Sequence, residues 1–126
     1  MNPDGSSTGK YIPVHSQITY SSLLRHNSIN CSSVVIERKA ALEFPMEHDD
    51  SHEDYIAWLR ILKKYGSAAG INRPYLKYRL SEGGKSRLKT RSALMTYRAY
   101  RYVGLGRLKS ILCFISYGFH GLWKYR

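Results

Sequence analysis

The sequence predicts an α/β chain: short strands, one capped amphipathic helix, and two C-terminal helices rich in basic and aromatic residues. Three observations carry that prediction. Residues 31–37 (CSSVVIE) set three consecutive β-branched apolar residues behind small ones, the composition of a strand buried on both faces. Tyr55, Trp58, Leu59 and Leu62 recur at i, i+3, i+4 and i+7, with Arg60, Lys63 and Lys64 opposite, the spacing of a helix with one apolar face. Beyond residue 86 the chain loses strand-like alternation and becomes two long helical patterns split by Gly104-Leu105-Gly106.

In chain order, residues 1–9 (MNPDGSSTG) are turn chemistry, and 11–14 make a short extended piece. Thr19 is an N-cap for a short helix over 19–25. The strand at 31–37 leads into a short helix at 38–42, ended by Phe44-Pro45. The main helix is expected over 51–65. Ser51 and Asp54 match the S-x-x-D capping box, and Gly66 is a natural residue just past its end. Two short strands follow at 68–71 and 75–80, joined through Asn72-Arg73-Pro74, then a loop at 81–85 (SEGGK). A basic helix at 87–103 turns Leu88, Leu94, Met95 and Tyr102 to the core. A second helix at 107–125 is apolar and aromatic with basic residues at both ends.

Composition bounds the function. The chain has 126 residues, 43% hydrophobic and 13% aromatic with 11 Tyr, which excludes a wholly disordered protein. Its net charge of +11 favours anionic partners, and the charge is polarised. Residues 1–54 hold four Lys+Arg and eight acids; residues 55–126 hold sixteen Lys+Arg and one acid, Glu82. Cys31 and Cys113 have no paired spacing, so they read as small buried residues in a reducing compartment. No apolar run resembling a signal peptide opens the chain, and the nearly uncharged stretch 110–123 is too short to span a bilayer.

Four features could carry chemistry. The acidic loop His48-Asp49-Asp50-Ser51-His52-Glu53-Asp54 fits no metal-ligand spacing, and carboxylates are favoured at a helix start by its dipole alone. Glu53 and Asp54 nevertheless stand on a rigid element just after a loop, where a general base is well positioned. The capping-box and base roles compete for Asp54. The basic residues around 81–85, Lys85 and Arg87 among them, are either a solvated face or a clamp for a phosphorylated ligand. Tyr97, Tyr100 and Tyr102 among cations would suit nucleic acid, but no nucleic-acid motif accompanies them and none is expected as a partner. The basic-ended apolar segment 107–126 is either core or an interfacial helix on an anionic membrane face.

The stretches NSINCSSVVIER (27–38), HEDYIAWLRILKKYG (52–66) and INRPYLKYRL (71–80) resemble the carboxy-terminal half of family 2 glycosyltransferases. The resemblance is closest to bacterial enzymes that build teichuronic acid, capsule and O-antigen, and it covers nearly the whole chain. It implies an incomplete GT-A, Rossmann-like domain with residues 1–106 as its acceptor-side half; 107–126 then follow as the amphipathic, membrane-associating helix that their own residues suggest. It makes Asp54 the catalytic base with Glu53 beside it. Cys31, Ser32, Arg60, Lys85 and Arg87 become substrate contacts, the last two at the donor diphosphate.

The family's Asp-x-Asp motif, which holds Mg²⁺ or Mn²⁺ on that diphosphate, has no match here. The metal and the donor-binding half, about 100 residues for a domain of ordinary size, are therefore expected upstream of Met1. The chain is expected to be inactive alone, with a nucleotide-sugar donor, a glycan or lipid-linked acceptor and an anionic membrane as the parent enzyme's partners. Its expected place is cytoplasmic, peripheral at the inner face of the plasma membrane. The rival reading is a basic adaptor without catalysis that binds membrane or nucleic acid.

Overall fold

Antiparallel pairing of two three-residue strands, β1 (Gln17–Thr19) and β2 (Ser67–Ala69), joins the two ends of the first half of the chain, with Ile18 opposite Ala68. The computed structural model describes residues 2, 4–77 and 89–124. Among the described residues five α-helices accompany the small sheet: α1 (Tyr20–Arg25), α2 (Arg38–Glu43), α3 (Glu53–Tyr65), α4 (Lys89–Tyr102) and α5 (Arg107–Lys124). The chain is thus mixed, mostly helical, with one short two-stranded sheet among the described residues. The expected 81–85 loop, Lys85, Arg87 and the end of the 75–80 strand lie outside those residues; 75–77 form no strand.

Three of the helix ends have a local reason. Thr19 caps α1: its Oγ1 accepts from Ser22 N–H at 3.2 Å, and its own N–H donates to Ser22 Oγ at 2.9 Å. Gly66, at φ +92°, closes α3 in a conformation that side chains resist. Gly104, at φ +83°, closes α4 as a Schellman turn. Gly104 N–H reaches Arg101 O at 3.1 Å and Leu105 N–H reaches Tyr100 O at 3.0 Å, with Leu105 buried beneath. The turn sends α5 back along α4.

The core gathers where α3 crosses α1 and α4. Tyr55, Ile56, Leu59 and Leu62 of α3 pack with Leu23 and Leu24 of α1 and with Ala99, Tyr100 and Val103 of α4. The α3 stripe expected from spacing is the buried one, with Lys63 and Lys64 outside. Two tyrosines finish α1, whose last carbonyls have no partner within so short a helix. Tyr55 donates its hydroxyl to Leu23 O at 2.8 Å, and Tyr100 donates to Leu24 O at 2.7 Å.

Four expectations are corrected. Residues 31–37 are not a strand: Cys31–Ser33 form a 3-10 turn, Asn30 accepting from Ser32 N–H at 3.1 Å, and the rest is unpaired extended chain with Val35 fully exposed. β-branching favours extended backbone, but a strand also needs a hydrogen-bonded neighbour, and among the described residues 31–37 pair with neither strand of the sheet. Cys31 is therefore exposed rather than buried; Cys113 is half-buried, and both are free thiols. Leu94 is half-exposed, and the α4 core positions are Met95, Thr96, Ala99, Tyr100 and Val103. Ser51 lies outside α3 and does not cap it.

Candidate functional site

The acidic loop is an anchor onto α4. His48, held at φ +70°, stacks its ring on Tyr102 with centroids 3.8 Å apart and planes 8° from parallel. Asp50 accepts from Arg98 at 3.2 Å and from the Tyr102 hydroxyl at 3.1 Å. Ser51, fully buried, donates to Met95 O at 2.7 Å, and His52 Nε2 lies 3.3 Å from Ser92 O. Ser92, Met95, Arg98 and Tyr102 recur along one side of α4, so the loop is fastened residue by residue to a single helix face.

That fastening fixes the start of α3. His52 is the N-cap without a side-chain bond, and Glu53 and Asp54 occupy the first turn, where the exposed N–H groups favour negative charge. Asp54 Oδ1 accepts from Tyr55 N–H at 2.7 Å; its other oxygen has no hydrogen-bond partner among the described residues. Both carboxylates are half-buried.

The charges of these carboxylates reach the thiol of the 3-10 turn at Cys31–Ser33. Partial burial, then the charges of Asp54 and Glu53, raise the Cys31 thiol above its ordinary value, so the sulfur stays protonated at neutral pH. Asp54 shares a helix face with Ala57, Trp58 and Ile61 at i+3, i+4 and i+7. Those three line an apolar hollow of about 180 Å³ with Ile36, Phe44 and Met46. The buried Trp58 Nε1 has no partner among the described residues.

Of the residues expected to form a site, Cys31 lies within electrostatic reach of Glu53 and Asp54, with Ser32 exposed on the same turn. Arg60 is not with them. It lies about 9 Å farther along α3, from the helical rise, bonded to Glu47 at 3.3 Å and to Tyr102 O at 3.4 Å. There it borders a second groove of about 310 Å³ with Phe44, Lys63 and Lys64. The hollow and the unmet Trp58 donor escaped sequence reasoning, since an apolar stripe at helical spacing ordinarily signals core alone.

The described residues do not fit a divalent ion. No group of three His, Cys, Asp or Glu side chains among them converges on one point, and Asp50 is committed to Arg98 and Tyr102.

Two half-buried carboxylates in the first turn of a helix, one with an unbonded oxygen among the described residues, can take a proton from a hydroxyl held there. The chain is a relative of glycosyltransferases of bacterial surface-polysaccharide synthesis. TuaG of Bacillus subtilis, named as a teichuronic acid biosynthesis glycosyltransferase, is 30% identical over 125 residues, 98% of this chain and 50% of TuaG. WfaP of Escherichia coli, named as a UDP-Glc:alpha-D-GlcNAc-diphosphoundecaprenol beta-1,3-glucosyltransferase, is 28% identical over 86% of this chain and 43% of its own length. A Haemophilus influenzae glycosyltransferase is 31% identical over 93% of this chain and 47% of its own. The chain spans about half the length of these curated relatives. No family model matches it, and no solved structure does.

Proposed function

We propose that this chain is the acceptor-side half of an inverting family 2 glycosyltransferase of the GT-A fold, with Asp54 as general base and Glu53 supporting it. The Asp54 carboxylate takes the proton of an acceptor hydroxyl as that oxygen bonds to the anomeric carbon of a nucleotide sugar. The bond from that carbon to the leaving nucleoside diphosphate breaks on the opposite face. The acceptor is a lipid-linked or polysaccharide glycan, a reading supported by the acceptors in the names of WfaP and of its Escherichia coli counterpart WfgD. Cys31 and Ser32 border the acceptor. Lys85 and Arg87 contact the donor diphosphate. Mg²⁺ or Mn²⁺ belongs with the donor-binding half, so the chain alone is inactive. The enzyme works at the cytoplasmic face of the plasma membrane.

One observation carries the proposal: Ser51 is turned away to Met95, so Asp54 is not tied into a capping box and keeps an oxygen without a partner among the described residues.

The test is a chimaera in which these 126 residues replace the matching half of TuaG. It should transfer sugar to the acceptor. Asp54→Asn should lower turnover by about 10²–10⁴-fold, the usual worth of a positioned base, with nucleotide-sugar binding unchanged. Glu53→Gln should cost less. An Asp54→Asn chimaera with full turnover would overturn the assignment.

A further inference from the structure

The C-terminal helix α5 is apolar on two opposite sides, and only one of them is covered. At about 100° per residue, Ser110, Cys113, Phe114 and Tyr117 form one side. Ser110 is fully buried, and the other three are half-buried against the core. Phe114 meets Tyr97 edge-on, with centroids 6.4 Å apart. Leu108, Ile111, Leu112 and Ile115 form the other side, and they are 75%, 46%, 60% and 49% exposed. A helix apolar on both sides is ordinarily covered on both sides, by protein or by lipid.

The charges say which cover fits. Arg107 and Lys109 are exposed and flank the bare stripe, one on each side at helical spacing. The sequence from 83 to 126 contains no Asp or Glu at all, so every charge on α4 and α5 is positive. A second copy seated on this stripe would bring cations against cations with no acid on either helix to answer them. An anionic lipid surface answers them directly: the apolar stripe enters the acyl boundary while Arg107 and Lys109 remain among the headgroups.

We propose that the outward face of α5, centred on Leu112 and Ile115, docks this chain on an anionic membrane surface. The helix lies in the interface, since among the described residues no helix is long and apolar enough to cross a membrane. This proposal does not rest on the transfer reaction, and its test reads no turnover.

The test is co-sedimentation of the whole chain with vesicles of phosphatidylcholine alone or mixed with phosphatidylglycerol. The chain should sediment strongly with the mixed vesicles and only weakly with the neutral ones. Raised salt should weaken the association without abolishing it, because screening removes only the charged part. The double variant Leu112→Glu, Ile115→Glu should bind at least about tenfold more weakly, having lost two aliphatic groups from the boundary. Its thermal unfolding should match the parent's, since both side chains are already exposed. Ile12→Glu, at an exposed apolar residue far along the chain, should bind as the parent does.

A parent chain that ignores anionic vesicles overturns the proposal, as does a double variant that binds like the parent. A dimer that the double variant splits, with no vesicle binding by the parent, assigns the face to a second copy and equally overturns it.

Discussion

The hydroxyl of Ser51 donates to the carbonyl of Met95 across 44 positions of sequence, at 2.7 Å and fully buried. It is the innermost of the contacts that fasten the acidic loop to α4, and it sets how Glu53 and Asp54 are presented. A serine serving as a helix cap would tolerate aspartate, which caps as well. A serine buried against a carbonyl does not, because a carboxylate there meets an acceptor and loses its water. Ser51→Ala should therefore lower unfolding free energy by about 1–2 kcal/mol, and Ser51→Asp by more. Urea denaturation of the two variants checks this; Ser51→Asp matching the parent would restore the capping role.

Tyr55 and Tyr100 are expected to make stability fall at high pH. Burial, then the neighbouring tyrosine, raises the Tyr55 hydroxyl well above its ordinary value; burial likewise raises that of Tyr100. A group raised on folding holds its proton more tightly in the folded chain, so its contribution is complete below the unfolded value of 10.0. It is lost as pH climbs beyond that toward the folded value. The parent should lose stability from about pH 10 upward, and Tyr55→Phe, Tyr100→Phe should flatten that slope. At neutral pH each single change should cost about 1 kcal/mol, for the bond to Leu23 O or Leu24 O. The two costs should not add, because the hydroxyls lie 3.4 Å apart. Equal alkaline slopes in parent and double variant would refute the account.

Gly70 admits no side chain. A Cβ built there would lie 2.1 Å from His15 O and 2.7 Å from Val14 Cγ1, while its own N–H bonds to Ser16 O at 3.0 Å. Backbone atoms cannot swing aside, so Gly70→Ala should push the chain before β1 away from β2 and cost about 2 kcal/mol or more. Gly106→Ala, with nothing within 4 Å of its Cβ, should be close to neutral. Thermal unfolding of the two variants supplies the comparison, and equal effects would contradict it.

Val35 tests the corrected strand. A valine buried on a two-faced strand would lose much of its stabilisation on replacement by serine, whereas this one is fully exposed. Val35→Ser should change stability by no more than about 0.5 kcal/mol, the range of ordinary surface changes. A drop beyond that in chemical denaturation would return residues 31–37 to the core.

What the sequence determined by itself is what a few neighbouring residues decide. The buried stripe of α3, the Thr19 cap of α1 and the breaks at Gly66 and Gly104 all depend on partners within about five positions or on the dihedrals of one residue. The resemblance to glycosyltransferases rests on such local strings too, and it pointed to Glu53 and Asp54. The tertiary structure decided wherever distant groups compete for one partner. The sheet formed between 17–19 and 67–69, and the β-branched run at 34–36 joined neither of its edges. Met95 O took the Ser51 hydroxyl that local spacing assigned to a cap, and this left Asp54 with one oxygen unclaimed by any described group. In α5 the apolar pattern runs around the helix, and only the packing against α1 and α4 chose which side to bury. Helical spacing names the residues that share a side; the shape of the neighbours selects the side, and left Leu112 and Ile115 outside.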